Sequence, residues 1–164
     1  MKKLIKKMVL LVALCLATMV AGYAQEPSKA EIKIKEIVKK YENVKGVECV
    51  TVTKGKGLGL VKMMLNSEMG KDFMKGVTCI TIINYTDASQ ETCLALRKEV
   101  ESFGAILEEF DMSKDKDLAE NEYNRSYASI SAETKSISDF VIAMEDAETK
   151  MMMHMAGKIK VDVE

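Results

Sequence analysis

The sequence predicts an α+β fold: a largely antiparallel sheet with about three helices packed on one face. Three observations lead there. Helical spacing and strand-like alternation follow one another three times between Ser28 and Phe110. From Tyr123 onward, strand patterns come in succession with no helical spacing between them. The last clear pair is joined by a turn too short for a parallel crossover. Helix and strand alternating along the whole chain would indicate a doubly wound parallel fold, whereas a run of strands indicates helices layered on an antiparallel sheet. Such a sheet can leave its other face to solvent or to a partner.

Ser28 and Glu31 form a capping box at the start of the first helix, and Ile34, Ile37, Val38 and Tyr41 follow at helical offsets. Gly46 ends that region. Residues 47–53 are β-branched and alternating, which predicts a strand. Residues 54–59, with Gly55, Gly57 and Gly59, read as a mobile connection. A second helix runs from Leu60 to about Met74 on Val61, Met64, Leu65 and Met69, with a break at Gly70. Residues 77–85 are a second strand. Ser89 caps a third helix carrying Cys93, Leu96 and Val100, which Gly104 closes, and residues 105–110 are a third strand. After a charged loop over 113–122, residues 123–131 form a strand with one wet face. Residues 137–144 and 150–155 form two more, joined through Glu145, Asp146 and Ala147. Ile159, Val161 and Val163 either extend the last strand past Gly157 or form a separate edge strand.

One internal echo stands out. Lys45-Gly46-Val47-Glu48-Cys49-Val50-Thr51-Val52 matches Lys75-Gly76-Val77-Thr78-Cys79-Ile80-Thr81-Ile82 at five of eight positions, with two further Val-to-Ile exchanges. A repeated helix-strand unit and independent convergence on a buried strand both account for it. If the two strands pair in register, alternation puts Cys49 and Cys79 on one face, which makes them the pair best placed for a disulfide.

The first 24 residues read as a cleavable export signal. Lys2, Lys3, Lys6 and Lys7 precede an apolar run from Met8 to Val20, and Gly22 and Ala24 supply small residues before a cut between Ala24 and Gln25. That run is about 13 residues, short of the roughly 20 that a spanning helix needs. Cys15 lies inside the run after Leu14 and is one more apolar residue, not a lipidation site. The expected mature chain is therefore one α+β domain over 25–164, exported to a bacterial periplasm or envelope, touching the membrane only through its transient leader.

Removing the leader takes four lysines and no acids, so 24 basic against 25 acidic residues becomes 20 against 25, a net charge of −5. Nucleic acid is disfavoured as a partner, because phosphate binding needs a clustered positive face. The mature cysteines Cys49, Cys79 and Cys93 are odd in number and cannot form a closed disulfide set. The chain has one histidine, His154, so multi-histidine zinc sites are excluded and any serine or cysteine nucleophile would have to use it as base. Its position in a predicted strand among methionines suits a structural role. Met151, Met153, His154 and Met155 are the candidate ligands for a soft metal such as copper(I). Strand alternation places His154 opposite the three methionines, which fit equally as core packing. The glycines at 55, 57 and 59 sit where phosphate-binding loops sit but match neither known spacing. No cofactor is expected.

The strand from Ser138 to Met144, an acidic turn, and the stretch Met152-Met153-His154-Met155-Ala156-Gly157-Lys158-Ile159 resemble a family of small exported bacterial domains of unknown function. The front half is also similar to that family, with a helix ending near Gly46, a Val-rich strand and a helix like that from Leu60 to Met69. The resemblance implies an envelope location and an α+β fold, and carries no catalytic residue or ligand. The functional expectation is a non-enzymatic module that binds another envelope protein. The alternative is a periplasmic carrier of a small apolar ligand or soft metal.

Overall fold

A computed structural model describes residues 26–53, 55–109 and 123–160. The leader, the junction at Ala24 and Gln25, and the charged stretch 113–122 lie outside the described residues. Helix α1 spans Lys29–Tyr41, and both halves of the Ser28–Glu31 capping box form. Strand β1 covers Glu48–Val52. Helix α2 covers Lys56–Met69 and the short helix α3 Lys71–Lys75, separated at Gly70 where the sequence predicts a break. Strand β2 is Val77–Asn84. Helix α4 is Gln90–Glu101, with Ser89 accepting from the Thr92 amide as its cap. A 3-10 turn at Ser102–Ala105 leads to the two-residue strand β3, Glu108–Glu109. Strands β4 (Tyr123–Ser131), β5 (Ser136–Glu145) and β6 (Lys150–Lys160) complete the fold.

The sheet is wholly antiparallel, in the order β1-β2-β6-β5-β4-β3. The α+β class and the antiparallel sheet are as the sequence predicts. The last strand continues through Gly157 to Lys160, so the first of the two readings of that segment holds for the described residues. Gly157 takes a φ of 157° and lies against Gly76, where a side chain on either glycine would collide with the backbone of the facing strand. The pairing of β2 with β6 is irregular at this point.

Three expectations are corrected. The helices do not share one face of the sheet. α2 and α3 pack on the face carrying Ile80, Ile82, Phe140, Met153 and Met155, while α1 and α4 pack on the face carrying Ile83, Val141, Ala143 and Met152. The reason lies in the central strands, where apolar residues are consecutive: Ile82-Ile83, Phe140-Val141, Met151-Met152-Met153. A strand apolar at every position has two faces to cover. Second, Gly57 and Gly59 belong to α2 rather than to a loop. Only Gly55, with a φ of 125°, makes the turn, and Gly57 brings the helix against Val52. Third, of the strand expected over 105–110, only Glu108 and Glu109 are strand among the described residues. Phe103 is fully buried, and its carbonyl accepts from the amides of Ile106 and Leu107, which winds that stretch into a turn.

The echoed segments become neighbours, β1 and β2. They do not build equivalent layers, because the helices that precede them pack on opposite faces.

Candidate functional site

The proposed soft-metal ligands are separated by the sheet. Met151, Met153 and Met155 are at most 5% exposed and join the core beneath α2 and α3. His154 faces the other side, where β6 pairs it with Thr81 of β2 and Val141 of β5. The four side chains cannot converge on one ion. Among the described residues, no group of three or more His, Cys, Asp and Glu side chains is arranged to hold a metal.

Nε2 of His154 lies 2.9 Å from Oδ1 of Asp139, and both residues are buried. A carboxylate only accepts, so Nε2 carries the proton. The same Oδ1 accepts from the Ser28 hydroxyl at 2.9 Å, and Oδ2 accepts from Ser138 at 3.1 Å. Burial pushes the Asp139 carboxyl up, but the hydrogen bonds from His154, Ser28 and Ser138 and the charge of His154 outweigh it and hold the acid below the usual carboxylate range. The Ser28 oxygen also accepts the Glu31 amide at 3.0 Å. Asp139 sits between serine and histidine, so the Ser28 hydroxyl gives its proton to the carboxylate and not to the imidazole. The trio ties the first turn of α1 to the middle of the sheet.

A second polar cluster lies at the far end of the same face. Arg97 of α4 donates from Nε and Nη2 to the two oxygens of buried Glu145, at 2.9 and 2.6 Å. The Tyr85 hydroxyl donates to the same carboxylate at 3.1 Å. Burial, then the charge of Glu145, pushes the Tyr85 phenol far up, so it stays a donor. Arg97 also lies 5.0 Å from the centre of the Tyr123 ring. This fork pins α4 as Ser28 pins α1.

Cys49, Cys79 and Cys93 are free thiols. The candidate pairing of Cys49 with Cys79 is ruled out by the register. Both residues share a face, but Cys49 lies opposite Ile83, four residues along β2 from Cys79. That is roughly 13 Å, about twice the reach of a disulfide. Burial and then Glu42 push the Cys49 thiol up to about 11, and burial and then Glu31 push Cys79 up, so neither is a ready thiolate.

The surface offers something different. Leu58, Val61 and Leu65 point α2 into the core at 4–6% exposure, while Leu60 and Met63 stand 42% and 64% exposed on the outside. Residues three apart on a helix are neighbours, so these two form one apolar spot. Lys62, between them in sequence, folds back to donate to the carbonyl of Lys75 at 3.4 Å.

Asp139 and Glu145 were invisible to motif reading. The available signal was phase: Asp139 alternates with buried Val141 and Ala143, and a carboxylate in that phase needs a partner, as does His154 in phase with Met152. Comparison with protein-family models, curated proteins and solved structures yields no match.

Proposed function

We propose that this chain is an exported envelope protein, of the kind its resemblance to small exported bacterial domains implies. Its task is to bind another envelope protein without catalysis, and the contact surface is the outer side of α2. The observation that carries this reading is the two-sided apolar character of that helix. A surface helix ordinarily turns polar residues outward, yet α2 turns Leu60 and Met63 outward while Leu58, Val61 and Leu65 face the core. Exposed Leu60 and Met63 side by side are the type of surface that a partner covers. The polar clusters under α1 and α4 support the same reading, since they bind helices to the sheet and expose no reactive group.

A photo-crosslinking residue in place of Met63, in the native envelope, is expected to give one dominant protein adduct. The adduct should weaken at least several-fold when Leu60→Glu is added. A featureless smear, or an adduct indifferent to Leu60→Glu, would overturn the reading. Export is checked separately by sequencing the mature terminus, expected at Gln25; a chain still beginning at Met1 in the envelope would contradict it.

A further inference from the structure

The two edges of the sheet are built in opposite ways. At one end, the described part of β3 is two glutamates, and charge of that kind at an edge discourages another strand from adding. At the other end, β1 has five residues, Glu48-Cys49-Val50-Thr51-Val52, and only β2 beside it among the described residues. It holds no proline and no lysine, and its pairing with β2 runs without a bulge. Thr51 and Thr53 are exposed. An unpaired strand edge of this kind is a template for another strand.

What strand fits it is written in the echo. On its covered side, β1 meets Ile80-Thr81-Ile82, with Thr51 opposite Thr81, Val50 opposite Ile82 and Val52 opposite Ile80. The Thr51 and Thr81 hydroxyls are 3.1 Å apart. Both triplets read the same in either direction, β-branched apolar, threonine, β-branched apolar. An antiparallel copy of β1 therefore offers the free edge nearly what β2 offers the covered one.

We infer that β1 pairs antiparallel with β1 of a second copy of this chain, across a two-fold axis at Thr51. Thr51 then faces its own counterpart, and Val50 and Val52 face each other twice. A closed isologous contact of this type needs a self-complementary patch, which the Val-Thr-Val palindrome supplies. Glu48 falls outside the paired residues 49–53. A hydroxyl both donates and accepts, so Thr51 can keep its bond to Thr81 while meeting the second Thr51, which makes a row of four threonines. The two six-stranded sheets become one continuous sheet. This inference is independent of the reading of α2.

The test is sedimentation of the mature chain 25–164 over about a hundredfold range of concentration, because self-association follows mass action. A monomer–dimer equilibrium is expected. Thr51→Lys puts two like charges on the axis and should shift the chain to monomer, as should Thr51→Glu alone. An equimolar mixture of the two variants should recover the dimer. Circular dichroism and melting of each variant check that the fold is kept. Thr51→Cys should give a disulfide-linked dimer on mild oxidation, which serves as the readout if a charged variant fails to fold. A monomer at every concentration, a dimer indifferent to Thr51→Lys, or no recovery on mixing would each overturn the pairing.

Discussion

The two faces of the sheet share the strand β6 and are held by different physics. Toward α2 and α3, its side chains are Met151, Met153 and Met155, with Phe140 meeting Phe73 edge to face at 5.7 Å. That face is cohesive through area and shape. Toward α1 and α4, the alternate positions are Met152 and His154, and the face adds Asp139 and Glu145, whose hydrogen bonds reach Ser28 and Arg97 on the helices. Direction is added there to area. A methionine face tolerates rearrangement, because the unbranched side chain refills gaps. A buried carboxylate does not, because its lone pairs have no substitute partner. The helices on the polar face should therefore be the better fixed in place, and α2 the freer to adapt to a partner.

The contrast can be broken most forcefully at Asp139. Asp139→Ala strands His154 in the interior and should cost about 3–5 kcal/mol in denaturant unfolding. The pair Asp139→Leu with His154→Phe, which removes both polar groups at once, should recover much of that loss. If the double substitution is as damaging as the single one, volume rather than pairing governs this face.

On the methionine face, Met155→Ala should cost about 2–5 kcal/mol through the cavity it leaves. Met155→Leu, which keeps the volume, should cost less than about 1.5 kcal/mol. A large loss on Met155→Leu would show that the face is as shape-specific as the polar one is partner-specific.

Smaller effects sharpen the picture. Ser28→Ala removes a helix cap and should cost about 0.5–2 kcal/mol. Its loss should appear first as faster hydrogen exchange in α1, with β6 unchanged. The pH dependence has a definite sign. The Asp139 carboxyl is held below its ordinary range in the fold, so its contribution is present in full above the unfolded value and is lost as pH falls through the lowered folded value. Asp139→Asn should lower stability near neutrality, where the ionised carboxylate contributes in full, and flatten the further loss in that acid window. An unaltered acid limb would mean that other carboxylates set it.

Much of the fold was legible in order. Ser28 and Ser89 announce their helices because a serine oxygen is the natural acceptor for the orphan amides of a first turn. Residues 123–131 are legible from a weak alternation, and the hairpin of β5 and β6 from apolar runs and a short acidic turn. The glycines at 57 and 59 misled, because glycine's cost in a helix is small against the burial of Leu58, Val61 and Leu65. Phe103 misled similarly, its burial winding a turn at the start of the segment 105–110 that read as a strand. Of the candidate site, helical spacing placed Val61 and Leu65 on the packed face of α2, but it carries no sign that Leu60 and Met63 stand exposed together.

The sequence alone specified most of the elements, their order and the antiparallel class, because those depend on local spacing, caps and loop length. It also determined that Val50-Thr51-Val52 and Ile80-Thr81-Ile82 are alike. Only the tertiary structure decided that these triplets pair antiparallel with Thr51 opposite Thr81, that β1 then lies at an edge, and that Asp139 reaches both His154 and Ser28. Those are contacts across 30, 15 and 111 residues of chain. No local pattern specifies a partner at such a distance. Strand register does, because it moves every side chain on a strand together.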